Sequence, residues 1–215
     1  MNTISFTLVS EGSSDRALIP VITWLFHQHV DAPLRPEWAD LRNLSRPPRG
    51  LEGKVAAAVR LYPCDVLFAH RDADRVERAE RVAEIHRAIE LAGLGSTPAV
   101  CLVPVRALEA WFFGDEGAIR RACGDPSGSQ DLALPPFKNI ESLADPKARL
   151  QDCIRRAADQ RRRRRRRVRP GQILHRIAEL TDDFSPLRQL AAFQAFESEL
   201  LSIIKNGAIE NEGWV

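Results

Sequence analysis

Long apolar runs are missing from this chain. No stretch approaches the roughly 18 residues that a membrane-crossing helix needs, so the sequence predicts no membrane partner. A basic leader is missing too. The opening Met-Asn-Thr-Ile-Ser-Phe-Thr-Leu-Val-Ser carries only a short, interrupted apolar segment, which argues against a secretory signal and predicts a cytoplasmic protein. Cysteine is scarce: Cys64, Cys101, Cys123 and Cys153 lie 37, 22 and 30 residues apart, with no CxxC pair. That spacing suggests neither a zinc site nor a disulfide framework, and reduced thiols are expected. Lysine is nearly absent, since 27 of the 31 basic residues are arginine. Genome composition alone produces such a bias, so it carries no argument by itself.

What is present is ordinary in bulk. The 215 residues fit one domain, or one domain with an appendage. A hydrophobic share of 44% with 28% charged residues excludes a disordered or fibrous chain. The net charge of +2, however, hides an asymmetry. Between Leu150 and Arg176 eleven arginines face two acids, a local +9; the rest of the chain has 20 basic and 27 acidic residues, or −7. An acidic body with one intensely basic segment calls for a physical explanation.

Hydrophobic periodicity organises the rest. Ile4–Val9 reads as a strand, followed by a turn at Glu11-Gly12-Ser13-Ser14 and a helix over about 14–29, with Pro20 in its early turns. Residues 31–50 hold four prolines and read as loop, with a short strand near Ala39–Leu44. Val55 and Val59 mark a second helix, and Cys64–Ala69 is a second buried strand. A charged helix then presents Val76, Ala79, Val82, Ala83, His86 and Ile89 on one face, and Ala99–Val103 is a third buried strand with Pro104 opening the next helix. Strand–helix alternation implies βαβ units and a parallel sheet. After a Gly/Ser/Pro-rich loop at Asp125–Pro136 the pattern is helical, over about 143–158, 172–180 and 186–204.

Ligands of open parallel sheets gather beyond the carboxyl ends of the strands. The first strand ends in Glu11, with Asp15 four residues on; the second ends in His70-Arg71-Asp72-Ala73-Asp74. If those strands are neighbours, three or four carboxylates converge on one edge. Like charges held together raise each other's pKa, and a hard divalent cation with oxygen ligands relieves them. Each motif alone has a plainer explanation, because acids at the starts of helices stabilise them without chemistry. Glu109 has Val105, Phe112 and Phe113 around it at helical spacing, so it is either a buried acid paired with an arginine or a further metal ligand.

Glu11-Gly12-Ser13-Ser14-Asp15 after a strand, followed by Asp72-Ala73-Asp74 after a later strand, resembles the TOPRIM domain of topoisomerases, primases and overcoming-lysogenization-defect nucleases. The chain looks more closely like small stand-alone bacterial TOPRIM-like proteins linked with phage defence. Pro104-Val105-Arg106-Ala107-Leu108-Glu109-Ala110-Trp111 and Asp145-Pro146-Lys147 also fit, and the resemblance covers roughly 1–115. It implies an α/β, Rossmann-like TOPRIM core over 1–115, a linker over 116–136 and a helical C-terminal extension over 137–215. It further implies Mg²⁺ or Mn²⁺ held by Glu11, Asp15, Asp72, Asp74 and Glu109, catalysis by Glu11, Asp72, Asp74 and Lys147, and an ATPase partner. Arg71 departs from the pattern, placing a cation directly before Asp72.

Arg161, Arg162, Arg163, Arg164, Arg165, Arg166, Arg167 and Arg169 are too polar to pack in a core. They read either as a solvated loop or as a phosphate-gripping segment for DNA or RNA, driven by counterion release. Together these features predict a metal-dependent nuclease cleaving phosphodiester bonds. Two other readings remain open: a haloacid-dehalogenase-like phosphatase with Asp72 as nucleophile, on Asp72-Ala73-Asp74-Arg75-Val76, and a non-catalytic module that binds nucleic acid or a protein.

Overall fold

The computed structural model describes residues 3–94, 97–158 and 170–207. The buried apolar runs become a sheet. β1 (Ile4–Val9), β2 (Leu34–Trp38), β3 (Val66–His70) and β4 (Ala99–Leu102) lie in the order β2-β1-β3-β4, and every pairing is parallel. The fold is therefore α/β, with helices covering both faces of the sheet. Asp65 fixes the two central strands at their entrance: its Oδ2 accepts from Ser5 N at 2.7 Å and Ser5 Oγ at 2.6 Å.

Successive side chains of a strand point to opposite faces, and the core divides accordingly. Phe6, Leu8, Phe68, Val100 and Leu102 face one way and share a cluster with α1 (Leu18–His27) and α7 (Ala191–Lys205). Val9, Leu67, Ala69, Cys101 and Val103 face the other way, against α2 (Gly50–Leu61) and α3 (Arg78–Ala92). In α1, Leu18, Val21, Ile22, Leu25 and Phe26 form the buried stripe that the helical period dictates. Pro20 sits in the first turn of α1, where a missing N–H costs nothing. The left-handed Gly93, at φ 61°, ends α3.

Three expectations need correction. The strand expected near Ala39–Leu44 lies instead at Leu34–Trp38 and contains Pro36. An edge strand tolerates proline because one side of its backbone has no ladder partner, and Ala39 and Leu41 are buried as loop residues. Pro104 opens no helix. Residues 104–106 instead continue alongside the end of β3, with Ala73 N donating to Pro104 O at 3.1 Å and Asp74 N to Arg106 O at 2.9 Å. Only at Leu108–Phe112 does a short 3₁₀ turn form, so Glu109 lies on that turn and not on a long helix. The expected helix over 186–204 is likewise split into a 3₁₀ turn at Ser185–Gln189 and α7, with Leu190 extended between them.

Beyond residue 115 come α4 (Glu116–Ala122), α5 (Pro146–Ala158), α6 (Pro170–Leu180) and α7. Ile119, Leu150, Ile177, Phe193 and Phe196 belong to the same cluster as Phe6 and Phe68. Aromatic edges knit it together: Phe68–Phe196 ring centroids are 5.9 Å apart and Trp111–Phe193 5.3 Å. The C-terminal helices and the sheet thus share one core. Among the described residues no helix is long and apolar enough to cross a membrane.

Candidate functional site at the carboxyl edge of the sheet

β1 has β2 on one side and β3 on the other, so the connections leaving β1 and β3 diverge at their carboxyl ends. A crevice opens at such a point. Here it is a cleft of about 500 Å³, lined among others by Asp15, Asp72, Asp74, Arg106, Glu109 and Lys147. Of the metal-binding and catalytic residues expected from the sequence, Asp15, Asp72, Asp74, Glu109 and Lys147 therefore meet, and Glu11 does not.

Asp15 is 6% exposed and fully engaged. Its Oδ2 accepts from Glu11 N at 3.1 Å and Gly12 N at 2.8 Å, while Oδ1 accepts from Ser14 Oγ at 3.0 Å. It shapes the 3₁₀ turn after β1 and adds a fixed charge to the cleft wall. Asp72 Oδ1 accepts from Leu108 N at 2.8 Å, which starts the turn that carries Glu109. Burial, then the charges of Glu109 and Asp15, push the Asp72 carboxyl up to about 8. Glu109 is 8% exposed and is raised as well, mainly by burial, with Lys147 pulling in the opposite direction.

His70, fully enclosed, lies beside Asp72. Its Nδ1 lies 3.0 Å from Leu102 O, a carbonyl that only accepts, so Nδ1 carries the proton. Burial lowers the ring's pKa and keeps it neutral, leaving bare Nε2 facing Asp72 Oδ1 at 3.6 Å.

The outer acids are occupied by arginines. Glu11 Oε1 lies 2.8 Å from Arg71 Nη2, Arg71 also pairs with Glu84, and Arg81 Nη1 lies 2.9 Å from Glu84 Oε2. Arg81 Nη2 then reaches Asp74 Oδ2 at 3.3 Å. One chain of charges, Glu11–Arg71–Glu84–Arg81–Asp74, therefore links the two strand ends. Glu11 lines a neighbouring pocket with Trp38 and Lys54 instead of the cleft. Of the expected trio Glu11, Asp72 and Asp74, the two aspartates share the cleft, while Glu11, paired with Arg71, does not line it.

Asp74 and Arg106 hold left-handed backbone, at φ 54° and 67°. Outside glycine that region costs on the order of 1–3 kcal/mol, and such outliers concentrate where function imposes geometry. The two residues stabilise each other, since Arg106 Nη1 donates to Asp74 O at 3.2 Å.

Arg161–Arg167 and Arg169 lie outside the described residues. Gly171 and Leu174, on α6 just after that segment, line a pocket with Ser14, Glu109 and Lys147 that adjoins the cleft. His175 Nε2 holds α6 there, 2.8 Å from Ser13 O. Asp183, an acid that a phosphatase could recruit late in the chain, is taken by Ser185 N at 2.8 Å and Ser185 Oγ at 2.6 Å.

Among the described residues, one group of three metal-ligating side chains has its ligand atoms within 4.8 Å of one another: His86, Cys101 and Glu199. Spacing along the chain does not reveal this group, nor does it reveal Glu84 and Arg81 as the clamp on the outer acids. Arg71 beside Asp72 is the one visible signal of that clamp. No family model, no curated protein and no solved structure matches the chain.

Proposed function

We propose that the protein is a Mg²⁺- or Mn²⁺-dependent nuclease of TOPRIM type that hydrolyses phosphodiester bonds of DNA or RNA in the cleft beyond β1 and β3. The observation that carries the reading is the convergence of Asp72, Glu109 and Asp15 on one cleft, where burial first and the neighbouring charges second raise Asp72 to about 8. All are oxygen donors, and negative charge gathered in a partly buried cleft is what a hard divalent cation neutralises. Asp72 and Glu109 would hold the ion, with Asp74 reaching it once released from Arg81. When bound, such an ion stabilises charge on the phosphoryl oxygens and lowers the pKa of a coordinated water.

The chain's own groups supply the rest. Lys147 and Arg106, both lining the cleft, offer cations to the neighbouring phosphates. As a ligand of the ion, Glu109 would take the place expected of Glu11, which is engaged by Arg71. α6 begins directly after the arginine segment in the sequence, and its Gly171 lines the pocket shared with Glu109; the segment's arginines would grip the nucleic-acid backbone.

The test is cleavage of plasmid DNA and of structured RNA by the purified chain with Mg²⁺, Mn²⁺ or chelator. Cleavage that needs the metal and disappears in Asp72→Asn and Glu109→Gln supports the reading. Metal-independent cleavage, or an acid-stable phosphate trapped on Asp72, overturns it, the latter in favour of a phosphatase.

A further inference from the structure

On the edge of the sheet away from β2, α3, β4 and α7 bring three different ligand types together. His86 comes from the surface of α3, Cys101 from the interior of edge strand β4, and Glu199 from α7. His86 Nε2 lies 3.8 Å from Glu199 Oε1, and the thiol of Cys101 completes a trio whose ligand atoms lie within 4.8 Å of one another. We propose that His86, Cys101 and Glu199 form a zinc site that ties α3 and α7 to β4, separate from the acidic cleft.

The ligand chemistry selects the metal. A thiolate, an imidazole and one carboxylate suit Zn²⁺, whereas Mg²⁺ takes oxygen ligands. Tetrahedral bonds of about 2.0–2.3 Å put neighbouring ligand atoms about 3.3–3.8 Å apart. The His86–Glu199 spacing already falls there, so only small side-chain movements bring in the sulfur. Binding breaks the Cys101 S–H bond and forms an S–Zn bond, releasing one proton to solvent, while neutral His86 gives its Nε2 lone pair. Thiolate and carboxylate together balance the two positive charges. Since His86 is about half exposed, water can fill the fourth position.

Without a metal this arrangement is awkward for the cysteine. An ion pair between half-exposed His86 and partly buried Glu199 explains two of the residues but not a fully buried thiol beside the same carboxylate. Burial and Glu199 both raise that thiol, while Arg78 favours its ionised form. A bound cation reverses the balance, as it does for coordinated thiols generally.

The experiment uses the untagged, reduced, metal-stripped full chain, titrated with Co²⁺ and then displaced with Zn²⁺. The near-ultraviolet thiolate-to-Co²⁺ charge-transfer band should saturate at one equivalent and be abolished by Zn²⁺. Cys101→Ser should lose the band. His86→Gln and Glu199→Gln, both on helix surfaces, should weaken Co²⁺ by at least the roughly tenfold that loss of even an outer partner costs, with far-ultraviolet dichroism unchanged. Those two variants carry the test if Cys101→Ser fails to fold. Cys64→Ser and Asp72→Asn should leave the band as it is. A band that survives Cys101→Ser, a band lost in Asp72→Asn, unaltered affinity in both helix-surface variants, or no band in the wild-type chain overturns the site.

Discussion

Arg71 Nη2 stands 2.8 Å from Glu11 Oε1, tying the acid after β1 to the residue that precedes Asp72. Because Arg71 also pairs with Glu84, and Arg81 bridges Glu84 to Asp74, Glu11 and Asp74 belong to an ion-pair chain. Asp72 and Glu109, both with raised carboxyls, are bridged to no arginine among the described residues.

Arg71→Met should free Glu11 and add a carboxylate within reach of the cleft. Mn²⁺ affinity, measured by titration calorimetry, is expected to rise, and the double variant with Glu11→Gln should return it to the wild-type value. Unchanged affinity in Arg71→Met would mean that Glu11 takes no part in holding the metal.

Asp72 makes stability fall as pH rises. Its folded-state pKa, about 8, lies above its ordinary value of 3.8, so between those limits the folded chain holds a proton that the unfolded chain has released. The favourable contribution is fully present below the lower value and is lost as pH climbs toward the upper one. Without divalent metal, Tm should decline across that window. Asp72→Asn should flatten the decline and melt higher than wild type at pH 8, an active-site acid traded for stability. A wild-type Tm that rises over the same range would contradict the burial argument.

How much of this was legible beforehand depended on how local the signal was. The apolar runs at Ile4–Val9, Cys64–Ala69 and Ala99–Val103 announced buried parallel strands, found at Ile4–Val9, Val66–His70 and Ala99–Leu102, and the acids following the first two marked the crevice. β2 was misplaced because Pro36 reads as loop until its edge position is known. Glu109 looked like a residue of a long helix because Pro104 is a good helix opener; pairing of residues 104–106 with the end of β3 overrode that preference. The Glu11–Arg71 clamp and the His86–Cys101–Glu199 trio were out of reach for a different reason. Their partners lie far apart in the chain, and only packing brings them together.

Phe196 tests whether the C-terminal helices are part of the fold's core. It packs against Phe68 of the central strand, Trp111 and Phe193. Phe196→Ala should cost about 3–5 kcal/mol, and near- and far-ultraviolet melting curves should shift together. A separate early melt of helical signal would show that the helices fold apart from the sheet.

The arginine segment should act through phosphates and not through bases. Replacing Arg161–Arg167 with Ser/Gly is expected to weaken binding to any nucleic acid sequence. The log–log salt slope should flatten by roughly 0.7–0.9 for each phosphate that is no longer neutralised, with Tm barely changed. Identical affinity and slope would make the segment a solvated loop.

The most direct measurement is anomalous diffraction from crystals of the chain soaked in Mn²⁺. A manganese peak is expected in the cleft, bonded to Asp72 and Glu109 and absent in Asp72→Asn crystals. Manganese bound elsewhere, with the cleft carboxylates in contact only with water and Leu108 N, would contradict the metal-dependent reading.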